Sequence, residues 1–323
     1  MLRPPASDEY LPMLSATRLL LERLYQAGGW KWPLLFLGAL ALVWQMRLQH
    51  LDDRLFFRLH SLWQQDVPQA GVGLANFRVK IDALPIAGVR DNLSGLTYDE
   101  RRDQLWGVLN NPEELLGLSK QGELLARYPL KGFQDVEDLV YLGDDQLLLL
   151  EERSHALLVV RLPSTPGPLL RKDARAFTLG IDAGGNQGFE GVGYDRRNDR
   201  LFVVKEHSPR SLYEIRGLKA SVGGDFNLQV IDHSAQMREQ VPASDLSAAH
   251  FDARTGHLLL LSDESKLLIE LDREGNLNAL LPLEDGSAGF AKDVPQAEGM
   301  TADDDGNLYL VSEPNLFYAL ERR

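Results

Sequence analysis

The feature that most constrains this chain is a fivefold repeat between residues 94 and 320. Each copy opens with Glu or Ser, runs through a short apolar strand into a polar turn, and returns along a second apolar strand. Successive copies begin 43 to 57 residues apart, at Ser94, Glu137, Glu190, Ser247 and Glu298. Periods of about 40 to 50 residues are typical of propeller blades. The sequence therefore predicts an all-β chain that folds as a five-bladed β-propeller.

The second strand of each copy is almost continuously apolar. These strands are Leu105–Leu109, Gln146–Leu150, Leu201–Val204, Leu258–Leu261 and Leu308–Val311. A strand with one solvated face alternates polar and apolar residues, so a continuous apolar run indicates that both faces are covered. Neighbouring blades provide that cover, and the Asp, Asn and Gly clusters before these strands favour tight reversals.

The last copy is short of one strand, because the sequence after Leu316–Leu320 contains only three more residues. The segment Phe77–Leu84 has a strand pattern and no partner in the first copy. We expect this N-terminal strand to complete the fifth blade and close the ring, since a closed ring leaves only short, protected edges.

The N-terminal region has a helical pattern. An apolar helical period over residues 9–27 predicts an amphipathic helix. The uncharged run 32–46 is shorter than the usual span of about 20 residues, but Trp30, Trp32 and Trp44 are typical interfacial anchors. A buried core helix or a cleaved signal sequence are the alternatives. No small-residue cleavage site follows Met46, which favours an uncleaved anchor.

These patterns divide the chain into four parts. We predict an amphipathic, cytoplasmic N-terminal segment (1–29), a helical transmembrane anchor (30–46), a helical linker (47–75) and the propeller (76–323). Three basic residues lie near the anchor on each side, so charge does not decide its orientation.

Composition excludes several classes of function. The net charge is −13, and residues 1–75 carry seven basic against six acidic residues, so the propeller holds all of the excess negative charge. An acidic surface does not displace counterions from phosphates, and we expect no nucleic-acid partner. The chain has no cysteine, which excludes disulfides, thiolate nucleophiles and Cys-based metal sites.

Two columns of residues fall where first strands begin and second strands end, which is the same face of a propeller. The first column is Ser94, Glu137, Glu190, Ser247 and Glu298, and the second is Asn111, Glu152, Glu206, Asp263 and Glu313. Seven carboxylates are thereby predicted around one channel mouth: Glu137, Glu152, Glu190, Glu206, Asp263, Glu298 and Glu313.

The mutual repulsion of such a ring of carboxylates must be offset. Two like charges about 7 Å apart repel by roughly 2 kcal/mol at an effective dielectric of 20. The acids must be protonated, paired with neighbours such as Lys205, Arg153 and His207, hydrogen-bonded to strand ends, or bound to a cation. Oxygen ligands without Cys or paired His favour Ca²⁺ ahead of Mg²⁺ or Mn²⁺.

Other sequence patterns give weaker evidence of a functional site. Asp303–Asn307 opens like a calcium loop, but Pro314 stands where the bidentate Glu belongs, so we interpret the segment as a turn. The chain lacks the Gly-x-Ser-x-Gly, His-Glu-x-x-His and P-loop motifs. Ser94 and Ser247 have no evident base and are interpreted as hydrogen-bonding strand residues.

The repeats resemble a known family, the SdiA-regulated proteins of bacteria. The matching segments are residues 92–96, 135–139, 189–192, 245–249, 261–265 and 297–300. One departure is Ala248–Ala249, where the first copy has Gly95–Leu96. The resemblance implies a calcium-bound, five-bladed propeller in the periplasm, tethered to the inner membrane by a single N-terminal span. It implies no established reaction.

Two functions would use the acidic channel mouth, and an interaction platform on the opposite face of the propeller, which no sequence feature locates, is a third possibility. The first is a membrane-anchored, calcium-binding module of the cell envelope that binds or organises an unknown small-molecule or protein ligand, without catalysis. The alternative is a calcium-dependent hydrolase of phosphoesters or lactones, in which an ion at the acidic channel mouth activates water. Fold analogy alone suggests that alternative.

Overall fold

The computed structural model describes residues 31–48, 71–181, 188–207 and 209–322. The chain separates into two compact units, Met1–Asp52 and Asp53–Arg323. The predicted amphipathic segment (1–29) and most of the predicted linker (47–75) lie outside the described residues.

The described part of the first unit is a single helix, α1 (Lys31–Leu48). All of its side chains from Lys31 to Gln45 are exposed. Its uncharged stretch of residues 32–46 is about 22 Å long, whereas the hydrocarbon core of a bilayer is about 30 Å thick. None of the helices in the described part of the chain is long and apolar enough to cross a membrane. The transmembrane anchor predicted at 30–46 is therefore not confirmed.

In its described residues, the second unit consists of strands, two short helices and two 3₁₀ turns, and the turn Leu74–Asn76 leads into the first strand, β1 (Phe77–Pro85). Blade I contains β2 (Leu93–Asp99), β3 (Gln104–Asn110), β4 (Glu113–Leu118) and β5 (Leu124–Lys131). Blade II contains β6 (Val136–Gly143), β7 (Gln146–Glu151), β8 (Ala156–Arg161) and β10 (Arg175–Thr178). Between these last two, β9 (Leu169–Leu170) pairs in parallel with β5 and precedes the turn Arg171–Asp173.

Blade III contains β11 (Phe189–Asp195), β12 (Arg200–Lys205), β13 (Ser211–Arg216) and β14 (Gln229–Asp232). The two short helices, α2 (Leu218–Gly223) and α3 (Ser234–Gln240), flank β14. Blade IV contains β15 (Ala248–Asp252), β16 (His257–Ser262), β17 (Leu267–Leu271) and β18 (Leu277–Pro282). Blade V contains β19 (Ala297–Ala302), β20 (Leu308–Ser312), β21 (Leu316–Arg322) and β1.

The ring closes as the sequence predicts. Strand β1 pairs antiparallel with β21, from Phe77 opposite Arg322 to Pro85 opposite Leu316, and is the outer strand of blade V. The inner strands β2, β6, β11, β15 and β19 contact one another in that order, and β19 contacts β2. The fold is therefore a five-bladed propeller closed by its N-terminal strand.

The core lies between neighbouring blades. Five buried apolar clusters fill the five interfaces, and the second strands contribute to the clusters on both of their faces. In β7, for example, Leu147 and Leu149 face blade I while Leu148 and Leu150 face blade III. The continuous apolar pattern of these strands is thus explained by burial on both sides.

The turns between first and second strands lie at the end of the channel that we term the turn face. Asp303 accepts a hydrogen bond from the backbone N–H of Asn307 at 2.8 Å and one from the Tyr309 hydroxyl at 2.9 Å. The Asp-rich segment 303–307 is therefore a hairpin turn, as predicted, and its first carboxylate caps that turn.

Candidate metal centre at the acidic mouth

Both predicted columns lie at the opposite end, which we term the acidic face. The inner strands of the blades begin there and the second strands end there. The seven predicted carboxylates are together termed the acidic mouth: Glu137, Glu152, Glu190, Glu206, Asp263, Glu298 and Glu313.

Three glutamates of the acidic mouth occupy β-bulges. The pairing between first and second strand shifts by one residue at Glu137, Glu190 and Glu298. A bulge leaves one residue outside the ladder and redirects its side chain. Blade IV, which has Ser247 in this column, pairs without such a shift. Blade I, which has Ser94 in this column, has its shift one residue later, at Gly95, so the bulge falls on the column position itself only where that position is a glutamate.

The residue after each column position lies where the inner strands approach most closely. A Cβ on Gly95 would be 2.6 Å from Cα of Asp138, and one on Gly191 would be 2.6 Å from Cα of Ala248. A Cβ on Gly299 would be 2.8 Å from the carbonyl carbon of Gly95. This crowding explains why Gly follows Glu in the repeats of blades III and V.

Asp138 is the one charged residue among the five positions of this crowded layer, and its side chain is 1% exposed. Its Oδ2 accepts the N–H of Val192 in blade III at 2.7 Å, and its Oδ1 accepts the N–H of Leu139 at 2.8 Å. The N–H of Leu96 in blade I also donates to this carboxyl group. Burial nevertheless raises the pKa of Asp138 well above its usual range. Asp138 therefore links three blades directly beneath the acidic mouth.

Blade II concentrates the acidic oxygens. Asp135 precedes β6, Glu137 lies on β6 and Glu152 follows β7, and each offers one carboxylate oxygen such that all three lie within 4.8 Å of one another. The N–H of Glu152 donates to the carbonyl oxygen of Asp135 at 3.0 Å and holds the two loops together. Within the described residues, this is the one group of three acidic or imidazole side chains with such close oxygens or nitrogens. We term it the blade II cluster.

Glu137 is held in place from blade I. Both of its carboxylate oxygens lie 3.2 Å from the Asn110 amide nitrogen, and the Ser94 hydroxyl lies 3.3 Å from Oε2. Burial raises the pKa of Glu137 to about 7, and the charges of Asp135 and Glu152 add to this rise. The donors from blade I orient the carboxylate without neutralising it.

The other two members of the blade II cluster have fewer partners. Glu152 Oε1 accepts the N–H of Gly188 at 2.9 Å. The Arg153 guanidinium Nε lies 2.7 Å from Asp135 Oδ2 in an ion pair that lacks hydrogen-bond alignment, and the Arg153 side chain is 78% exposed. Such an exposed ion pair is weak and can be displaced.

Glu190 and Glu298 receive no side-chain or backbone hydrogen bond on their carboxylates from the described part of the chain. Burial raises the pKa of Glu298 to about 9 and that of Glu190 well above its usual range. Neighbouring acids contribute to both shifts. They are Glu137, Glu152, Glu206 and Glu298 for Glu190, and Asp263, Glu313, Glu137 and Glu206 for Glu298. The seven acids therefore form one electrostatic group, as the sequence predicts.

The remaining acids of the mouth are partly compensated. Asp263 Oδ1 accepts from Lys266 Nζ at 2.5 Å and from the N–H of Ala297 at 3.0 Å. His207 Nε2 lies 3.2 Å from Glu206 Oε1 and 3.7 Å from a carboxylate oxygen of Glu264.

Burial also raises the pKa of Glu206 and of Glu313. The charge of Asp91 adds to the rise at Glu313. Even these outer members of the acidic mouth therefore favour the protonated form more than a solvated carboxyl group does.

The two serines of the first column are structural, as predicted. The Ser94 hydroxyl donates to the carbonyl oxygen of Glu137 at 2.5 Å, and that of Ser247 donates to the carbonyl oxygen of Ala297 at 2.6 Å. Each hydroxyl thus joins its inner strand to the next blade, and that of Ser94 also lies 3.3 Å from the Glu137 carboxylate.

Sequence reasoning did not select three residues that shape this site. Asp135 and Asp138 flank Glu137 in the same motif, but neither occupies one of the two repeat columns. Asn110 stands one position before the second column. The sequence did contain one signal for Asp135. It lies at the end of a loop, two residues before the predicted ligand Glu137, and alternate residues near a strand start can converge on one ion.

Fold and site together define a class: a five-bladed β-propeller with an acidic mouth at one end of its channel. More particularly, the chain belongs to the SdiA-regulated family, whose family model matches residues 69–321.

Solved structures with similar folds include several enzymes. A streptogramin B lyase is 10% identical over 77% of this chain and 99% of its own, with a TM-score of 0.44. A gluconolactonase from Xanthomonas campestris is 14% identical over 72% of each chain, with a TM-score of 0.44. A luciferin-regenerating enzyme is 12% identical over 72% of this chain and 92% of its own, with a TM-score of 0.46. At these identities and TM-scores, the similarities carry no argument about function.

Proposed function

We propose that the acidic mouth binds a divalent cation, calcium before magnesium, and that the protein is a calcium-stabilised binding or scaffold module. The blade II cluster is the observation that carries this proposal. Its three carboxylate oxygens lie within 4.8 Å of one another. Ca²⁺ takes six to eight oxygen ligands at about 2.4 Å, so oxygens at this separation can share one ion. Neighbouring acids or water would supply the other ligands.

The electrostatics of the mouth support the same proposal. Glu190 and Glu298 have raised pKa values because burial and like charges oppose their ionisation. A bound divalent cation is a larger local charge than any side chain and reverses this effect. Carboxylate and carbonyl oxygens without sulfur ligands suit Ca²⁺, Mg²⁺ or Mn²⁺, and the irregular spacing of these acids favours the flexible coordination of Ca²⁺.

Calcium titration of the full-length protein tests this proposal. We expect measurable heat by calorimetry and a higher Tm, because a ligand that binds only the folded state stabilises it. Glu137→Gln and Glu152→Gln should each weaken calcium binding about tenfold or more, since each removes a charged ligand. Glu123→Gln, an exposed position in blade I, is the matched control and should bind like the wild type. A wild-type protein that gives neither heat nor a Tm shift would contradict the proposal.

A second set of variants identifies the ligands. If the ion lies on the blade II cluster, Asp135→Asn should weaken binding as much as Glu137→Gln, whereas Glu313→Gln should weaken it only slightly. Equal losses at Glu298 and Glu313, with none at Asp135, would instead assign the ion to the blade V side of the mouth.

For localisation, we propose that residues 30–46 attach the chain to the bacterial inner membrane, with the propeller in the periplasm. The supporting observation is the exposed apolar surface of α1, where Trp32, Leu35 and Trp44 are each more than 60% exposed. Fractionation and protease treatment of spheroplasts test this. The full-length chain should remain with membranes and be cleaved from outside, and a variant lacking residues 30–46 should not. Recovery of the intact full-length chain in the soluble fraction would contradict membrane attachment.

A calcium-dependent hydrolase of phosphoesters or lactones is the second candidate function. The observation that favours it is His207, whose Nε2 lies near Glu206 and Glu264 at the rim of the mouth. An imidazole beside a bound cation could accept a proton from an activated water.

Phosphomonoesterase and lactonase screens, with and without Ca²⁺, separate the two candidates. Turnover that Glu190→Gln, Glu298→Gln and His207→Gln abolish in folded protein would establish the hydrolase. Calcium binding without turnover in these screens would favour the binding module.

A further inference from the structure

A cavity of about 90 Å³ lies between blades III and IV, apart from the acidic mouth. Phe202 and Glu214 line it from blade III, Phe251 and Leu258 line it from blade IV, and Met237 of α3 covers one side. None of these residues belongs to the acidic mouth, so the cavity has its own chemistry.

The floor of the cavity is apolar. The rings of Phe202 and Phe251 stack with their centroids 5.6 Å apart and their planes 11° apart. The guanidinium carbon of Arg200 lies 5.3 Å from both centroids, and Arg200 Nε and Nη2 donate to Asp195. This ion pair holds Arg200 over the two rings and fixes the aromatic surface in place.

One wall of the cavity carries a buried carboxylate. Glu214 is 3% exposed, its Oε1 accepts from Arg216 Nε at 2.6 Å, and its Oε2 lies 3.1 Å from His233 Nε2. A carboxylate oxygen can accept two hydrogen bonds, so each oxygen retains capacity for another donor. The cavity therefore combines an apolar floor with an acceptor for an N–H group.

The propeller contains an equivalent space between blades IV and V. Arg200 and Phe202 are the first and third residues of β12, and Glu214 is the fourth residue of β13. In blade IV the corresponding residues of β16 and β17 are His257, Leu259 and Glu270. Both glutamates are buried and each is bonded to a histidine, Glu214 to His233 and Glu270 to His257.

The chain itself fills the space between blades IV and V. Val72 and Leu74 are completely buried in the cluster at that interface. The N–H of Val72 donates to Glu270 Oε1 at 2.7 Å. A peptide segment with a branched aliphatic side chain and an N–H donor thus occupies one of the two equivalent spaces, and the other is a cavity.

We propose that the cavity between blades III and IV binds a peptide partner in the same way. An N–H of that peptide donates to Glu214, and a valine or leucine side chain packs on Phe202 and Phe251. Hydrogen bonds to a buried carboxylate are stronger than those between neutral groups, and the aliphatic side chain adds the hydrophobic contribution. This site is independent of calcium binding at the acidic mouth.

The test uses full-length protein and the peptide acetyl-Gly-Val-Gly-Leu-amide, which reproduces residues 71–74. Its control peptide has an N-methylated valine, which removes the donor and adds one methyl group. We expect the first peptide to bind about tenfold more tightly, as befits one hydrogen bond to a charged group. Added Ca²⁺ should leave both affinities unchanged. Equal affinities, or no binding at millimolar concentrations, would overturn the proposal.

A double-mutant cycle locates the peptide. In Glu214→Gln the advantage of the unmethylated peptide should shrink to about threefold or less, because a neutral acceptor replaces the charged one. Glu114→Gln, on the third strand of blade I, is the matched control and should retain the full advantage. An unchanged advantage in folded Glu214→Gln would overturn the site.

Two further measurements keep the test decisive. Nuclear Overhauser effects between the valine methyl groups and the rings of Phe202 and Phe251 in wild-type protein require no variant, and binding without them would place the peptide elsewhere.

Light scattering shows whether the peptide segment that binds the cavity comes from a separate partner or from a second copy of this chain. A dimer that the peptide dissociates would mean that a second copy supplies the segment, and would overturn the assignment to a separate partner.

Discussion

The two ends of the propeller channel shift the pKa values of their carboxylates in opposite directions. On the turn face, Asp195 accepts hydrogen bonds from Arg200 and Asn198, and Asp252 accepts them from Arg254. Burial raises the pKa of both aspartates, but these hydrogen bonds and cations outweigh it, so each pKa is lowered overall. The turn face therefore stabilises its carboxylates in the ionised form with partners from the same blade.

At the acidic mouth, burial and like charges outweigh the hydrogen bonds that would stabilise the ionised carboxylates. Burial raises the pKa of Glu137 to about 7 and that of Glu298 to about 9, and neighbouring acids add to both shifts. The two faces have similar numbers of strand ends and turns, so the fold itself does not require uncompensated acids. This difference is the reason to assign ligand binding to the mouth and a structural role to the aspartates of the turn face.

The largest expected effect is at the turn face. Asp195→Ala should lower the free energy of unfolding by about 3 kcal/mol, because it leaves Arg200 and two backbone N–H groups without their acceptor. Chemical denaturation measures this loss. Asp304→Ala, at an exposed turn position on the same face, is the control and should change stability by no more than about 0.5 kcal/mol. Similar losses in the two variants would contradict the structural role of Asp195.

Replacing a glutamate of the acidic mouth should raise the free energy of unfolding, in contrast to the loss expected for Asp195→Ala. Without a divalent cation, Glu298→Gln should stabilise the protein by about 2 kcal/mol at pH 8. The unfolded chain loses this proton near pH 4.5 and the folded protein near pH 9. The stability due to the neutral carboxyl group is therefore complete below about pH 4.5 and is lost as the pH rises towards 9.

The same variant should lose part of the stabilisation that Ca²⁺ gives the wild type, because Glu298 is a neighbouring acid and not a member of the blade II cluster. Denaturation at pH 8 in EDTA and in excess Ca²⁺ measures both effects, with the exposed Glu123→Gln as the control. Destabilisation by Glu298→Gln in EDTA would mean that the mouth, like the turn face, is stabilised by its ionised carboxylates.

The smallest expected effect is on calcium affinity. Because Glu137 has a pKa of about 7 and Glu298 of about 9, ion binding should release protons between pH 6 and 8. The calcium Kd should then fall by roughly tenfold per pH unit for each proton released. Calorimetry in buffers of different ionisation enthalpy counts these protons. A Kd that does not change over this range would mean that the ion is bound by acids that are already ionised.

Much of the fold was predictable because local patterns report it. The repeat spacing predicted five blades, and the unpartnered segment Phe77–Leu84 predicted how the ring closes. The anchor at residues 30–46 was less predictable. An uncharged run and flanking tryptophans indicated a membrane span, but the described helix α1 also includes Lys31 and Arg47 and is too short and too polar by the same physical criteria.

The candidate site was predictable in part. Register between repeats placed seven acids at one face, because the first strand starts where the second strand ends. It could not show that Asp135 joins Glu137 and Glu152, since that contact depends on how two loops of blade II approach each other. Nor could it show that Lys266 partly compensates Asp263 while Glu190 and Glu298 have no such partner among the described residues.

The sequence by itself determined the number of blades, the closing strand and the face on which the acids gather. Those properties follow from periodicity and strand direction, which are local and repeat with the chain. Only the tertiary structure decided which carboxylates lie within reach of one ion, where Asp138 links three blades, and that one of two equivalent interblade spaces is filled by Val72 while the other is a cavity. Those outcomes depend on distances of a few ångströms between residues far apart in the chain, and no local pattern encodes them.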